Sequence, residues 1–294
     1  MGYKTLLFGN PCKLSVKNRQ LEIQVGDENP ITVPLEDIST IILDNRQIVL
    51  TNYLLMACGE NNITVFVCNT KHQPNAIITP YFQHSRNTKI SNIHINTGET
   101  LKKRLWQKII KQKIANQSEV LKNLYDIYEL DFYIEKVQSG DKTNVEGQAS
   151  KKYWGMLFDD FKRHDKTKCN AMLDYGYAII RGTLSKYIAA SGLIPCFGIH
   201  HCNELNPFNL TEDLIEPFRP FVDMMIATEE NYLGEELTRN DKAYILSILD
   251  MQCQYKKEQI TIQNACERVC QSFVKSITLK DTDELHLPKF IEEK

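Results

Sequence analysis

Two histidines, His200 and His201, stand at the head of the stretch G-I-H-H-C-N-E-L-N-P-F-N-L-T-E-D-L-I-E-P-F-R-P-F-V-D, residues 198–223. A loop rich in Asn and Pro follows, then Asp213 and Glu216 in a segment with a helical pattern. Residues at i and i+3 share one helix face. A loop imidazole and a helix carboxylate can therefore converge on one cation. A second stretch, K-T-N-V-E-G-Q-A-S-K-K-Y-W, residues 142–154, puts Glu146 near a helix start. Small residues, Gly147 and Ala149, flank it, and Lys151 and Lys152 follow within two turns. A centre that cuts or joins phosphodiesters must neutralise charge at phosphorus and stabilise the leaving oxygen, and a divalent cation does both. Mg²⁺ prefers oxygen ligands, and Mn²⁺ also accepts imidazole.

Each of these residues also has a plain structural use. A glutamate at a helix start complements the helix dipole. An Asp–Glu pair at i and i+3 makes an acidic solvated face, and neighbouring histidines pack or cap. A zinc site built on His201-Cys202 is disfavoured, because no cysteine pair has C-x-x-C spacing. Residue types and spacing alone leave these readings open.

The elements that must position these side chains fall into two blocks. Residues 1–82 alternate apolar and polar at Leu14, Val16, Leu21, Ile23 and Val25, the period-two pattern of strands. Asn18-Arg19 suits a hairpin turn. Ile31–Leu35, Ile38–Leu43 and Ile63–Cys68 are further strand candidates, and Asn52–Gly59 is a short helix. This N-terminal β domain, a sandwich or barrel-like sheet, holds no catalytic cluster and serves as scaffold and dimer surface. Residues 83–98 are polar and read as a linker. From Glu99 the period turns helical, with Leu101, Leu105, Ile109, Ile114, Leu121 and Leu124 in one stripe. Lys102, Lys103, Arg104, Lys108, Lys111 and Lys113 share that helix. Further helices are expected at 145–163, 168–190, 211–226, 240–255 and 259–277. The fold class is α+β: a mainly β domain, then a larger all-α catalytic and DNA-binding domain over 99–294. Pro217 lacks an N–H, so a helix should begin or kink near Glu216.

At 294 residues with 42% hydrophobic and 24% charged residues, the chain can bury a sizeable core. No apolar run is long enough to span a bilayer, and the first residues lack a signal-peptide core. No membrane partner and a cytoplasmic location are expected. The nine cysteines lack a metal or disulfide pattern and read as reduced, mostly buried side chains. Net charge is −2, yet residues 86–188 carry 19 Lys/Arg against 12 Asp/Glu. A basic middle on an acidic chain suits a polyanion, although solvated helix faces give the same asymmetry.

Taken together, these segments resemble the CRISPR-associated protein one family, the integrase-nuclease of spacer acquisition. I-I-L-D-N-R-Q (41–47) and L-T-N-Y-L (50–54) are similar to the N-terminal β domain of its type II branch. W-Q-K-I-I-K-Q-K-I-A-N-Q (106–117) is similar to the first long helix of its second domain. N-V-E-G-Q-A (144–149) matches the motif around a metal-binding glutamate. N170–Y177, Arg181 and G-L-I-P (192–195) then precede the histidine motif in the family's order. The resemblance covers nearly the whole chain. It implies that Glu146, His201 and Glu216 are the catalytic, metal-holding residues for Mg²⁺ or Mn²⁺. Asp213 and His200 would support them, His200 standing where the family is usually apolar or aromatic. Lys151, Lys152, Arg163, Lys166 and Arg181 are candidate DNA-binding residues. The resemblance further implies a homodimer acting with double-stranded DNA and CRISPR-associated protein two. In the type II branch the RNA-guided effector nuclease is a further partner. The implied reaction joins 3′-hydroxyl ends of short duplex DNA to the repeat array by transesterification. A nuclease that cuts branched DNA without joining it, and a non-catalytic DNA-binding subunit, are the rival readings.

Overall fold

The computed structural model describes residues 4–70, 74–79, 86–158, 161–163, 165–229, 234 and 236–291. The chain divides into two compact units, Met1–Gln83 and His84–Lys294.

The first unit holds β1 (Lys4–Phe8), β2 (Lys13–Lys17), β3 (Gln20–Gln24), β4 (Ile31–Pro34), β5 (Ile38–Leu43), β6 (Val49–Leu50), α1 (Asn52–Glu60), β7 (Thr64–Cys68) and β8 (Pro74–Ile78). One sheet runs β1-β5-β7-β8, with the first three strands parallel and β8 antiparallel. The other runs β4-β3-β2-β6. The β2–β3 turn falls at Asn18 and Arg19, both at positive φ, which matches the twist of a tight hairpin. All six residues of β5 are buried, as expected of a central strand between two parallel neighbours. Leu14, Leu21, Ile38, Ile41, Val65 and, from α1, Leu54 and Cys58 form one core between the sheets.

The second unit is helical: α2 (Asn87–Ile95), α3 (Glu99–Tyr125), α4 (Asp131–Ile134), α5 (Val145–Leu157), α6 (Lys168–Ala190), α7 (Asn209–Ile215), α8 (Arg219–Ala227), α9 (Arg239–Leu246) and α10 (Ile262–Leu279). α3 is the spine. Its 27 residues span about 40 Å at 1.5 Å per residue. It packs against α4, α5 and α8, while α6 packs against α7, α8, α9 and α10.

Two expectations need correction. The segment 83–98, read as a linker, contains α2; its residues 83–85 lie outside the described residues. Ile90 and His94, four apart, are buried in that helix, a one-stripe pattern that the surrounding asparagines obscure. The second unit is mainly helical, as expected, but the helix expected over 240–255 ends at Leu246, and β9 (Gln252–Tyr255) and β10 (Glu258–Thr261) follow as an antiparallel hairpin. Cys253 and Tyr255 are buried at period two there, and Lys256 turns the chain at positive φ. As Pro217 predicts, the segment 211–226 breaks near Glu216, into α7, a 3₁₀ turn Glu216–Phe218, and α8. Pro217 and Pro220 remove the N–H groups a continuous helix would need, so the break falls at Glu216. Among the described residues no helix is long and apolar enough to cross a membrane, and the nine cysteines are free thiols.

Candidate metal centre

Glu146 is fixed by the start of α5. The Asp141 carboxylate accepts the amides of Val145 (2.9 Å) and Glu146 (3.0 Å). Asn144, at positive φ, accepts the Gly147 amide with its side chain. These bonds satisfy three of the donors that a helix start leaves open. A Cβ at position 147 would stand 2.7 Å from the Asn144 amide, so the close approach that Gly147 permits is made by the cap itself.

Across from α5, α3 turns Lys113 inward among Ile109, Ile110 and Ile114. Its Nζ lies 2.5 Å from Glu146 Oε1 and 2.5 Å from Glu216 Oε2. The contact to Glu146 is a hydrogen bond, and the contact to Glu216 Oε2 is an ion pair. Glu216 sits in the 3₁₀ turn, its side chain 9% exposed. Its Oε1 accepts from Arg219 Nε at 3.0 Å, while Arg219 also donates to Glu212 at 3.0 Å. Burial alone would raise the Glu216 carboxyl, but the charges of Arg219 and Lys113 overcome it and hold the group at about 2. Burial would likewise lower the Lys113 ammonium, and Glu216 and Glu146 push it up instead.

Behind this pair lies Asp223, fully buried on α8. Tyr153 donates to it at 3.0 Å and Tyr177 through a short hydrogen bond. Burial raises Asp223 to about 7 against those bonds and against the charges of Arg219 and Lys113. A cavity of about 230 Å³ is lined by Lys113, Glu146, Glu216, Arg219, Asp223 and Arg163, among others.

The histidine loop is organised by Asp213, which is fully buried. Its carboxylate accepts the amides of Ile199 (2.6 Å), His200 (3.2 Å) and His201 (3.1 Å), and the His201 ring at Nδ1 (2.7 Å). A carboxylate can only accept, so Nδ1 carries the hydrogen, and in the neutral ring Nε2 keeps its lone pair. The hydrogen bond to Asp213 raises the His201 pKa. His200 does something else: its ring stacks flat on Trp106 of α3, centroids 4.1 Å apart, and burial lowers its pKa.

Glu146 and Glu216 are thus brought to one cation, whereas His201 is committed to Asp213. Among the described residues no three His, Cys, Asp or Glu side chains form a ready metal cage. Two features set this spacing: an ammonium stands between the two acids, and a carboxylate holds the imidazole. The donor set nonetheless fits Mg²⁺ or Mn²⁺. Two carboxylates already point at a shared positive charge, Glu216 Oε2 faces the Lys113 ammonium, and His201 Nε2 is the free ring nitrogen.

The five candidate DNA contacts divide. Arg163 lines the cavity, donates to Asp174 at 2.6 Å and lies over the Tyr177 ring. Arg181 pairs with Glu212 at 3.4 Å, and Lys152 pairs with Glu129. Lys151 and Lys166 are exposed. The sequence reading did not single out Arg219 and Asp141, and it counted Lys113 only as one of the basic residues of α3. Lys113 carried a signal, since it falls in register with Trp106, Ile109, Ile110 and Val120 on the buried face. Glu212, Glu216 and Arg219 also had helical spacing.

A family model described as CRISPR associated protein Cas1 matches residues 6–247. A protein of Neisseria meningitidis serogroup C (strain 8013), named CRISPR-associated endonuclease Cas1, is 37% identical across 99% of this chain and 97% of its own length. Among solved structures, a casposase bound to integration product superposes with a TM-score of 0.77 at 19% identity, over 95% of this chain and 93% of that one. A chain of a Cas6-RT-Cas1–Cas2 complex gives 0.75 at 17% identity, over 98% of this chain and 36% of that one. At those identities the structural likeness concerns the fold.

Proposed function

This chain belongs to the CRISPR-associated protein Cas1 family, and from that premise we propose that it is a divalent-metal-dependent DNA integrase of CRISPR adaptation. The observation that carries the reading is the convergence of Glu146 and Glu216 on one cation, Lys113, with the ring of His201 held at Nδ1 by the buried Asp213. Glu146, Glu216 and His201 Nε2 would hold Mg²⁺ or Mn²⁺. Bound there, the ion supplies positive charge for the phosphate and the leaving oxygen.

In the proposed reaction a 3′-hydroxyl of a short duplex replaces the repeat's own 3′-oxygen at phosphorus. One P–O bond forms, one breaks, and the proton passes through solvent to the oxygen that leaves. Asp213 keeps His201 in one tautomer. The Asp141 cap keeps Glu146 at the helix start, and Arg219 keeps Glu216 from rotating. Arg163 contributes positive charge at the cavity, with Lys151, Lys152, Lys166 and Arg181 outside it as phosphate contacts. Affinity for DNA should fall steeply with salt. The solved relatives named for an integration product and for a Cas1–Cas2 assembly support DNA and CRISPR-associated protein two as partners. A homodimer and a type II effector nuclease complete the proposed assembly.

A relative named endonuclease favours a second reading, in which water takes the place of the hydroxyl and the same residues cut without joining. A supercoiled plasmid carrying the repeat separates the two. Integration yields donor–plasmid joints with 3′-hydroxyl donors and none with 3′-deoxy donors. Hydrolysis yields nicks that ignore the donor. If Glu146→Ala or Glu216→Ala joins at the wild-type rate, the assigned centre is wrong.

A further inference from the structure

We propose that the Lys113 ammonium is an internal counter-ion that occupies the shared position of Glu146 and Glu216 until a divalent cation displaces it. Lys113 then sets how tightly the centre takes metal. The inference rests on the metal reading above. Two cations cannot occupy the same point between two carboxylate oxygens, and Lys113 Nζ stands 2.5 Å from both.

The two acids do not depend on Lys113 to stay in place. Glu216 Oε1 is held by Arg219 at 3.0 Å, which leaves Oε2 turned to the lysine. Glu146 is held through its amide by Asp141, and its Oε1 accepts from Ser150 at 3.3 Å. The lysine can leave while the ligands remain aimed. It also has somewhere to go. Its four-carbon stem is flexible, and the cavity of about 230 Å³ that it lines is also lined by Gln117, Tyr177 and Asp223. Asp223 is a buried acid in that cavity, with the positive charge of Lys113 already acting on it. A displaced ammonium would trade one pair of carboxylates for another carboxylate without crossing into water.

The test is calorimetric titration of the full chain with Mn²⁺, paired with thermal melts with and without the ion. Lys113→Met should bind Mn²⁺ at least tenfold more tightly than wild type. Its melting temperature without metal should be lower, and the rise on adding Mn²⁺ larger. Lys113→Arg places a planar fork of donors between the two carboxylates, harder to displace than an ammonium, and should bind Mn²⁺ at least tenfold more weakly than wild type. Asp223→Asn removes the acidic destination and no ligand, and should weaken binding several-fold. Mn²⁺ affinity in Lys113→Met equal to or below wild type overturns the inference. If that variant does not fold, unchanged affinity in Lys113→Arg overturns it. Binding heat that Glu216→Gln abolishes but Lys113→Met leaves unchanged sinks this inference alone. No heat in any variant, wild type included, sinks the metal reading and this inference with it.

Discussion

Asp213 Oδ1 holds His201 twice, taking its amide at 3.1 Å and its ring Nδ1–H at 2.7 Å. The other oxygen of the same carboxylate takes the amides of Ile199 and His200. The loop is therefore wound around one buried negative charge. Asp213→Ala would strip acceptors from three amides and an imidazole. At about 1–3 kcal/mol for each unsatisfied buried donor, with some donors reaching water after relaxation, the expected loss is roughly 3–5 kcal/mol in urea unfolding. Asp213→Asn keeps an acceptor and should lose much less stability. A loss under 1 kcal/mol in the alanine variant would count against the winding.

The two histidines should separate cleanly. His200→Phe preserves a flat ring on Trp106 and should leave strand transfer nearly unchanged, since an aromatic pair remains. His201→Ala should reduce it by more than the roughly 10–100-fold that loss of an outer partner to a metal ligand brings. Loss confined to the His200 variant would reverse the assignment.

Asp223 gives the second unit a pH dependence. Its folded value of about 7 stands above an unfolded value of about 3.9. A raised value means that the folded state favours the protonated acid. The associated stability is complete below pH ~3.9 and is lost as pH rises through about 7. Asp223→Asn carries no charge to desolvate. Its stability relative to wild type should climb between pH 4 and 7 and level off above, by a few kcal/mol at about 1.4 kcal/mol per unit. Denaturant midpoints at pH 5 and pH 8 measure this, and an equal difference at both would refute it.

Two glycines offer a matched pair. A Cβ on Gly198 would run into the His201 carbonyl oxygen and stand 2.7 Å from Asp213 Oδ2. Gly198→Ala should cost about 1–3 kcal/mol, as overpacking does, and should lose joining activity beyond what stability explains. Gly155 lies within α5 with nothing within 4 Å of its would-be Cβ. Gly155→Ala should gain about 0.5–1 kcal/mol and keep activity. Equal activity in the two variants would break the link between Gly198 and the His201 geometry.

Much of this was legible beforehand because it rests on local rules. The alternation from Leu14 to Val25 gave β2 and β3, and the proline at 217 gave the break beside Glu216. The order of Glu146, His201 and Glu216 came from their motifs. Partner exchange across the fold was not legible. The register of Lys113 on α3 points it inward, but nothing local says what it meets there, because the two acids lie 33 and 103 positions away. The hairpin β9–β10 was hidden for the opposite reason: Leu246, Leu249 and Cys253 also satisfy helical spacing, and only pairing with a neighbouring strand decides.

The side-chain amide of Asn116 donates to the carbonyls of Pro217 (2.7 Å) and Pro288 (3.0 Å). Phe290 stacks on Phe221 of α8 at 4.1 Å. One buried group on α3 thus waits for two partners that leave the ribosome 101 and 172 residues after it. Contacts this distant in sequence form late, and synthesis proceeds from the N-terminus. The turn that carries Glu216 takes its Asn116 brace only once Pro217 has been made, and the segment around Pro288 joins the same donor later still. The two carboxylates of the proposed centre are thus completed by partners made far apart in time, Glu146 early and the braced turn of Glu216 much later.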